Sequence, residues 1–216
     1  DSVRARRVGA LVMAAIPPNP YPAAPSPVWR DLLLALVVGA GCYALSCWLV
    51  PSLAEVSGFG VDWELMSEAP FELRGRFPHR LLAPLLAHGL GLGKPHYMLF
   101  TRGLAVLLLV TVALFCRRRG AGVLDTALIV AAVALVAPVQ MYKQQWVGYS
   151  DPLCYALFFA SLLAARRPVL FWALFFANLT NHELAVFLLP WLWWVRREAN
   201  GSLRADLVGA GAALAA

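Results

Sequence analysis

Residues 179–190 read LTNHELAVFLLP. PVLFWALFFAN precedes them from residue 168 and WLWWV follows at 191–195. Both flanks have the composition of bilayer-spanning sequence. The middle carries Asn178, Thr180, Asn181, His182 and Glu183. A charged side chain at a bilayer centre costs roughly 2.5–3.5 kcal/mol on insertion scales. One long helix from 168 to 195 would also leave Arg166–Arg167 on one side and Arg196–Arg197 on the other. Two short helices with a turn at NLTNHE return both pairs to the same side, as the positive-inside rule prefers. Each arm is shorter than the ~20 residues of a full span. The polar turn is therefore expected below the outer surface, inside protein or a wet cavity.

The rest of the composition agrees with a membrane setting. Of 216 residues, 61% are hydrophobic and 14% charged, with mean hydropathy +0.68. A soluble domain is nearer a quarter charged. Apolar runs recur along the whole length, so the expected fold class is all-α, a polytopic helical membrane protein. The formal net charge is +6. The arginines cluster between apolar runs, so this charge is read as topology and no nucleic-acid partner is expected. Cys42, Cys47, Cys116 and Cys154 lie in or beside apolar runs without CxxC spacing. They read as buried small hydrophobes.

Along the chain, 1–29 reads as a basic, Pro-rich cytoplasmic leader. Spans are expected at about 31–50, 97–116, 123–139, 152–165, 168–178 and 184–195. A long outer loop is expected at 51–80, followed by an interfacial helix at 81–92. Residues 207–216 read as the start of a truncated further span. The chain begins with Asp1 rather than Met, and a piece of a longer protein is expected. In this topology Arg4, Arg6, Arg7, Arg30, Arg117–Arg119, Arg166–Arg167, Arg196–Arg197 and Arg204 share the cytoplasmic side.

The opposite side collects the residues capable of acid–base chemistry. It holds Asp62, Glu64, Glu68, Glu72, Arg74, Arg76, Arg80, Lys94, Arg102, Lys143, Asp151, Glu183 and all four histidines (79, 88, 96, 182). Several have plain structural readings. Glu64, Glu68 and Glu72 recur every four residues, as on a solvated helix face. Arg74, Arg76 and Lys94 suit lipid headgroups. His88 suits the polar face of the interfacial helix. Asp151 before Pro152 suits a helix N-terminus. His182–Glu183 begins like a zinc HExxH motif, but the second histidine would fall at 186, which is Val186. Asn178-Leu-Thr180 is formally a glycosylation sequon, in a poorly accessible place.

Four segments together resemble the GT-C superfamily of membrane-embedded glycosyltransferases and their bacterial relatives. A first span is followed by an outer loop with early acidic residues, GVDWE at 60–64. The loop ends in an Arg-rich approach to a Leu/Pro helix, RGRFPHRLLAPLLA at 74–87. A later span opens on an acidic-Pro pair, YSDPLCYALFFASLLAARR at 149–167. The short paired helices with a polar turn, LTNHELAVFLLP, come last. The resemblance spans about residues 30–197. It implies transfer of a sugar from a polyprenyl-phosphate carrier to an acceptor on the exoplasmic side, with membrane lipid as surroundings. It implies Asp62, with Glu64 nearby, as catalytic base toward the acceptor hydroxyl. Arg76, His79, Arg80 and Arg102 become the candidates for holding the lipid phosphate. Asp151, His182 and Glu183 become cavity lining. A divalent metal (Mg or Mn) at Asp62 and Glu64 is the cofactor the family admits. Trp63 separates the two acids here, where many members have them adjacent. The usual basic residue after the LT turn is replaced by Asn181–His182.

Two other functions fit the same features. Broken helices with intramembrane charge also suit a transporter or flippase for a lipid-linked or anionic substrate. A non-catalytic membrane assembly subunit is the third.

Overall fold

The computed structural model describes residues 27–51, 60–72, 80–94, 96–135, 139–140, 143, 148–200 and 202–215. Among them the chain is all-helical. The helices are α1 (Val28–Leu49), α2 (Gly60–Glu68), α3 (Leu82–Gly89), α4 (Tyr97–Arg118), α5 (Val123–Leu135), α6 (Asp151–Leu163), α7 (Pro168–Leu179), α8 (Leu184–Asn200) and α9 (Leu203–Ala215). α1 and α4 are long and apolar enough to cross a membrane. α5, α6 and α7 are shorter apolar helices.

The helix ends follow local chemistry. α1 stops because Pro51 forces the preceding Val50 into extended geometry. α4 stops at Gly120, whose φ of 86° suits a residue without Cβ. There the N–H of Ala121 donates to Cys116 O and that of Gly120 to Arg117 O, closing the last turn. Prolines open α6 and α7, where a missing N–H costs no helix bond. Pro190 inside α8 does remove one, leaving the Val186 carbonyl without its intrahelical donor.

α1 and α4 pack antiparallel. The Asp31 carboxylate lies 3.4 Å from Arg117 and 3.7 Å from Arg118 at one end. Midway, Gly39 meets Val110 so closely that a Cβ would sit 2.7 Å from its backbone nitrogen. At the far end the buried Lys143 ammonium donates to Ser46 O at 2.7 Å. That carbonyl lies in the last turn of α1, where positive charge is favourable. α6 runs parallel to α4. Leu153 clusters with Phe100 and Leu104, while Phe159 meets Phe115 at a tilt further along. Arg117–Arg119 and Arg166–Arg167 therefore finish at the same end. Arg196 joins them by donating to Ala165 O. The alternation expected from the diarginines holds for the described helices, with a turn at 180–183.

Several bounds differ from the sequence reading. The stretch expected as outer loop contains α2 and a 3-10 turn, Pro70–Glu72. Trp63, Met66 and Ser67 bury one face of α2, which packs on α3. The interfacial helix is shorter than 81–92, because Gly89 to Gly93 brings a tight turn with φ of 66° at Gly91. The last helix begins at Leu203, four residues earlier than expected. It lies along α7, fixed by the Arg196–Asp206 ion pair at 2.8 Å and by Gly209 against Pro168.

Around its apolar core the bundle also exposes large apolar side chains and encloses several polar ones. Val37, Trp48, Leu124 and Phe187 are 69–79% exposed. Lys143, Asn178, Asn181 and Arg196 are at most 3% exposed.

Candidate functional site

The end of the bundle away from the arginines holds a connected polar network. Its base is the 180–183 turn. Thr180 O accepts the N–H groups of both Leu81 (2.9 Å) and Leu82 (3.2 Å), so the start of α3 is joined to the turn through main chain. That joint brings Arg80 onto Glu183. Arg80 Nε donates to Oε2 at 2.9 Å, and Nη2 donates to Oε1. The guanidinium is buried, while the Glu183 side chain is 49% exposed. These Arg80 hydrogen bonds hold the Glu183 carboxyl down to about 2, from an ordinary 4.5, against the opposing effect of burial. Glu183 is therefore an anion throughout the neutral range and no proton carrier there.

His182 is equally committed. The Leu184 N–H donates to Nδ1 at 3.0 Å, capping the start of α8. That leaves the ring proton on Nε2, which faces Asp151 Oδ1 at 2.9 Å. Nδ1 also lies 3.6 Å from Glu183 Oε2. With both nitrogens in use, His182 orients the turn rather than acting as an open base. Asn181 donates to Ser150 O at 3.4 Å and Asn178 to Cys154 O at 3.1 Å. These two buried amides tie the hairpin to the start of α6.

Trp63 closes the network from α2. The Arg80 guanidinium sits over its ring at 5.6 Å, a cation–π contact. Tyr149 meets the same ring edge-on at 4.7 Å. Tyr97 donates to Gly148 O at 3.2 Å and holds the loop that carries Tyr149.

Of the expected site residues, Arg80, Asp151, His182 and Glu183 meet here. Asp62 and Glu64 flank Trp63 on α2. Asp62 is half-buried, and its Oδ2 has no hydrogen-bond donor. Glu64 is within electrostatic reach of Tyr97. Two residues along a helix is roughly a 200° rotation, so the two carboxylates leave α2 in different directions. Among the described residues no three His, Cys, Asp or Glu side chains cluster for a metal. Arg102 lies elsewhere, half-buried and within reach of Tyr43 on α1. Arg76 and His79 fall outside the described residues. Sequence reasoning missed Trp63 and Tyr149 as members. Trp63 was visible only as the residue splitting the acidic pair.

Comparison with protein-family models, with curated proteins and with solved structures finds no match.

Proposed function

We propose that the chain is a membrane-embedded, GT-C-like glycosyltransferase module. It transfers a sugar from a polyprenyl-phosphate carrier to an acceptor on the exoplasmic side. One observation carries the reading. The Arg80–Glu183 pair joins the end of the Arg-rich approach to the polar hairpin turn, at the bundle end opposite the arginine runs. Those were two of the four segments on which the resemblance rests. The membrane part of the reading is supported by the many exposed large apolar side chains and by the two helices of spanning length. The arginine end is then cytoplasmic.

The chemistry follows from which groups are left without a hydrogen-bond partner. His182 is held by its cap and by Asp151, and Glu183 stays ionised on Arg80. Asp62 keeps a carboxylate oxygen free of donors. It takes the proton of the acceptor hydroxyl as that oxygen attacks the anomeric carbon. The bond to the carrier phosphate breaks on the opposite face, with inversion, and the phosphate departs as an anion. Arg80 is buried beside Trp63 and offers charge to that anion. A divalent metal, were one bound, would supply further charge to the leaving phosphate. No step here requires it.

The test is Asp62→Asn in membranes supplied with lipid-phosphate sugars. The variant should insert normally and lose sugar transfer. Full transfer by the variant would remove Asp62 from the base role. Substrate flux across proteoliposomes with no transfer product would replace the enzyme by a transporter.

A further inference from the structure

A second feature lies at the arginine end, far from the network. Pro190, Trp193, Trp194 and Arg197 line a groove of about 460 Å³, within the ~300–1,000 Å³ typical of ligand sites. Their spacing is i, i+3, i+4, i+7, which places all four on one face of α8. Phe187, 77% exposed, extends that face toward the start of the helix. The face thus grades from apolar, through two tryptophans, to a cation.

The cation is incompletely satisfied. Arg197 Nη1 is buried and has no hydrogen-bond partner. A buried guanidinium donor without an acceptor is costly. Its neighbour Arg196 pairs with Asp206 and donates to Ala165 O, although its Nη2 also has no acceptor. Arg166 and Arg167 are exposed beside Ala165. With Asp206 and Glu198 as the nearby acids in sequence and contact, the corner is left with excess positive charge.

We propose that this face of α8 binds an anionic phospholipid of the same leaflet. The phosphate accepts from Arg197, whose planar fork suits phosphate oxygens. Trp193 and Trp194 sit at the boundary between headgroup and chain, where amphipathic rings are favoured. An acyl chain runs along Pro190 and Phe187. A zwitterionic choline headgroup is disfavoured, because it would bring a second cation beside Arg197. The site rests on the membrane part of the proposed function and is independent of sugar transfer.

The experiment uses the full chain in nanodiscs of equal phosphatidylcholine and phosphatidylglycerol, followed by native mass spectrometry of retained lipid. Wild type should retain phosphatidylglycerol in preference. Arg197→Gln should cut that retention about fivefold, the worth of one basic residue near an anionic lipid. Arg197→Lys should keep most of it, and excess inorganic phosphate should not displace the lipid. Equal retention of both lipids, or undiminished retention by Arg197→Gln, would overturn the site. Displacement by inorganic phosphate would overturn the lipid in favour of a free anion. Failure of the chain to enter nanodiscs would instead sink the membrane reading. Normal insertion without lipid preference sinks only this site.

Discussion

Replacing Glu183 by Gln removes the anion that Arg80 grips while keeping the side-chain shape. The carboxyl lies at about 2 rather than 4.5, which at about 1.4 kcal/mol per pH unit would be worth ~3 kcal/mol in a dry site. Glu183 is 49% exposed, however, and solvent screening reduces that to about 1–1.5 kcal/mol. One hydrogen bond to the amide oxygen survives in the variant. The expected fall in Tm near neutral pH is about 2–6 °C for a chain of this size. The pH dependence has a fixed sign. A depressed carboxyl stabilises the fold above the unfolded value and loses that contribution as pH drops through the folded one. The wild-type advantage should therefore be full above about pH 4.5 and fade toward about pH 2. Thermal melts of both proteins in detergent across this window measure it. A double-mutant cycle with Arg80→Gln should show about 1 kcal/mol of coupling. Coupling below ~0.3 kcal/mol would refute the pair as a stabilising joint, and so would a pH-independent gap between the two proteins.

Gly39→Leu drives a side chain into the Val110 backbone and should cost about 1–3 kcal/mol by overpacking, read as a lower Tm. Asp206→Ala leaves the fully buried Arg196 without its carboxylate and should cost about 3–5 kcal/mol. The double variant Arg196→Met/Asp206→Leu should recover most of that loss in the same melt. In a background free of the native cysteines, Thr180→Cys and Arg119→Cys should label from opposite sides of an intact membrane. Both positions are exposed. Labelling from the same side would break the helix alternation.

How far the sequence led can be judged residue by residue. The hairpin was legible because two diarginines bracket it, and charge placement along a chain is a local signal. The clustering of reactive groups at one end followed from the same alternation. α2 was half legible. The spacing of Glu64 and Glu68 suits a helix face, but its place in a polar stretch between apolar runs reads as loop. The buried face of Trp63, Met66 and Ser67 emerges only in the structure. Arg80 and Glu183 stand 103 positions apart, so their pairing depends on tertiary packing that no window contains. In the sequence Asn181 is one more polar residue of a turn expected below the outer surface. It is fully buried, while its neighbour Thr180 is exposed. Across the turn the side chains run exposed, buried, half-buried and exposed, and composition does not record which way each one faces.

The shared carbonyl of Thr180 has a consequence of another kind. Two amides of one segment converge on one oxygen of another, and no side chain takes part. Any residue except proline at 81 or 82 preserves the junction. The alignment of the Leu/Pro helix with the hairpin is thus written in main-chain atoms. Descendants of this chain are free to exchange the surrounding letters while the seam persists, and their kinship would survive in shape after it has faded from spelling.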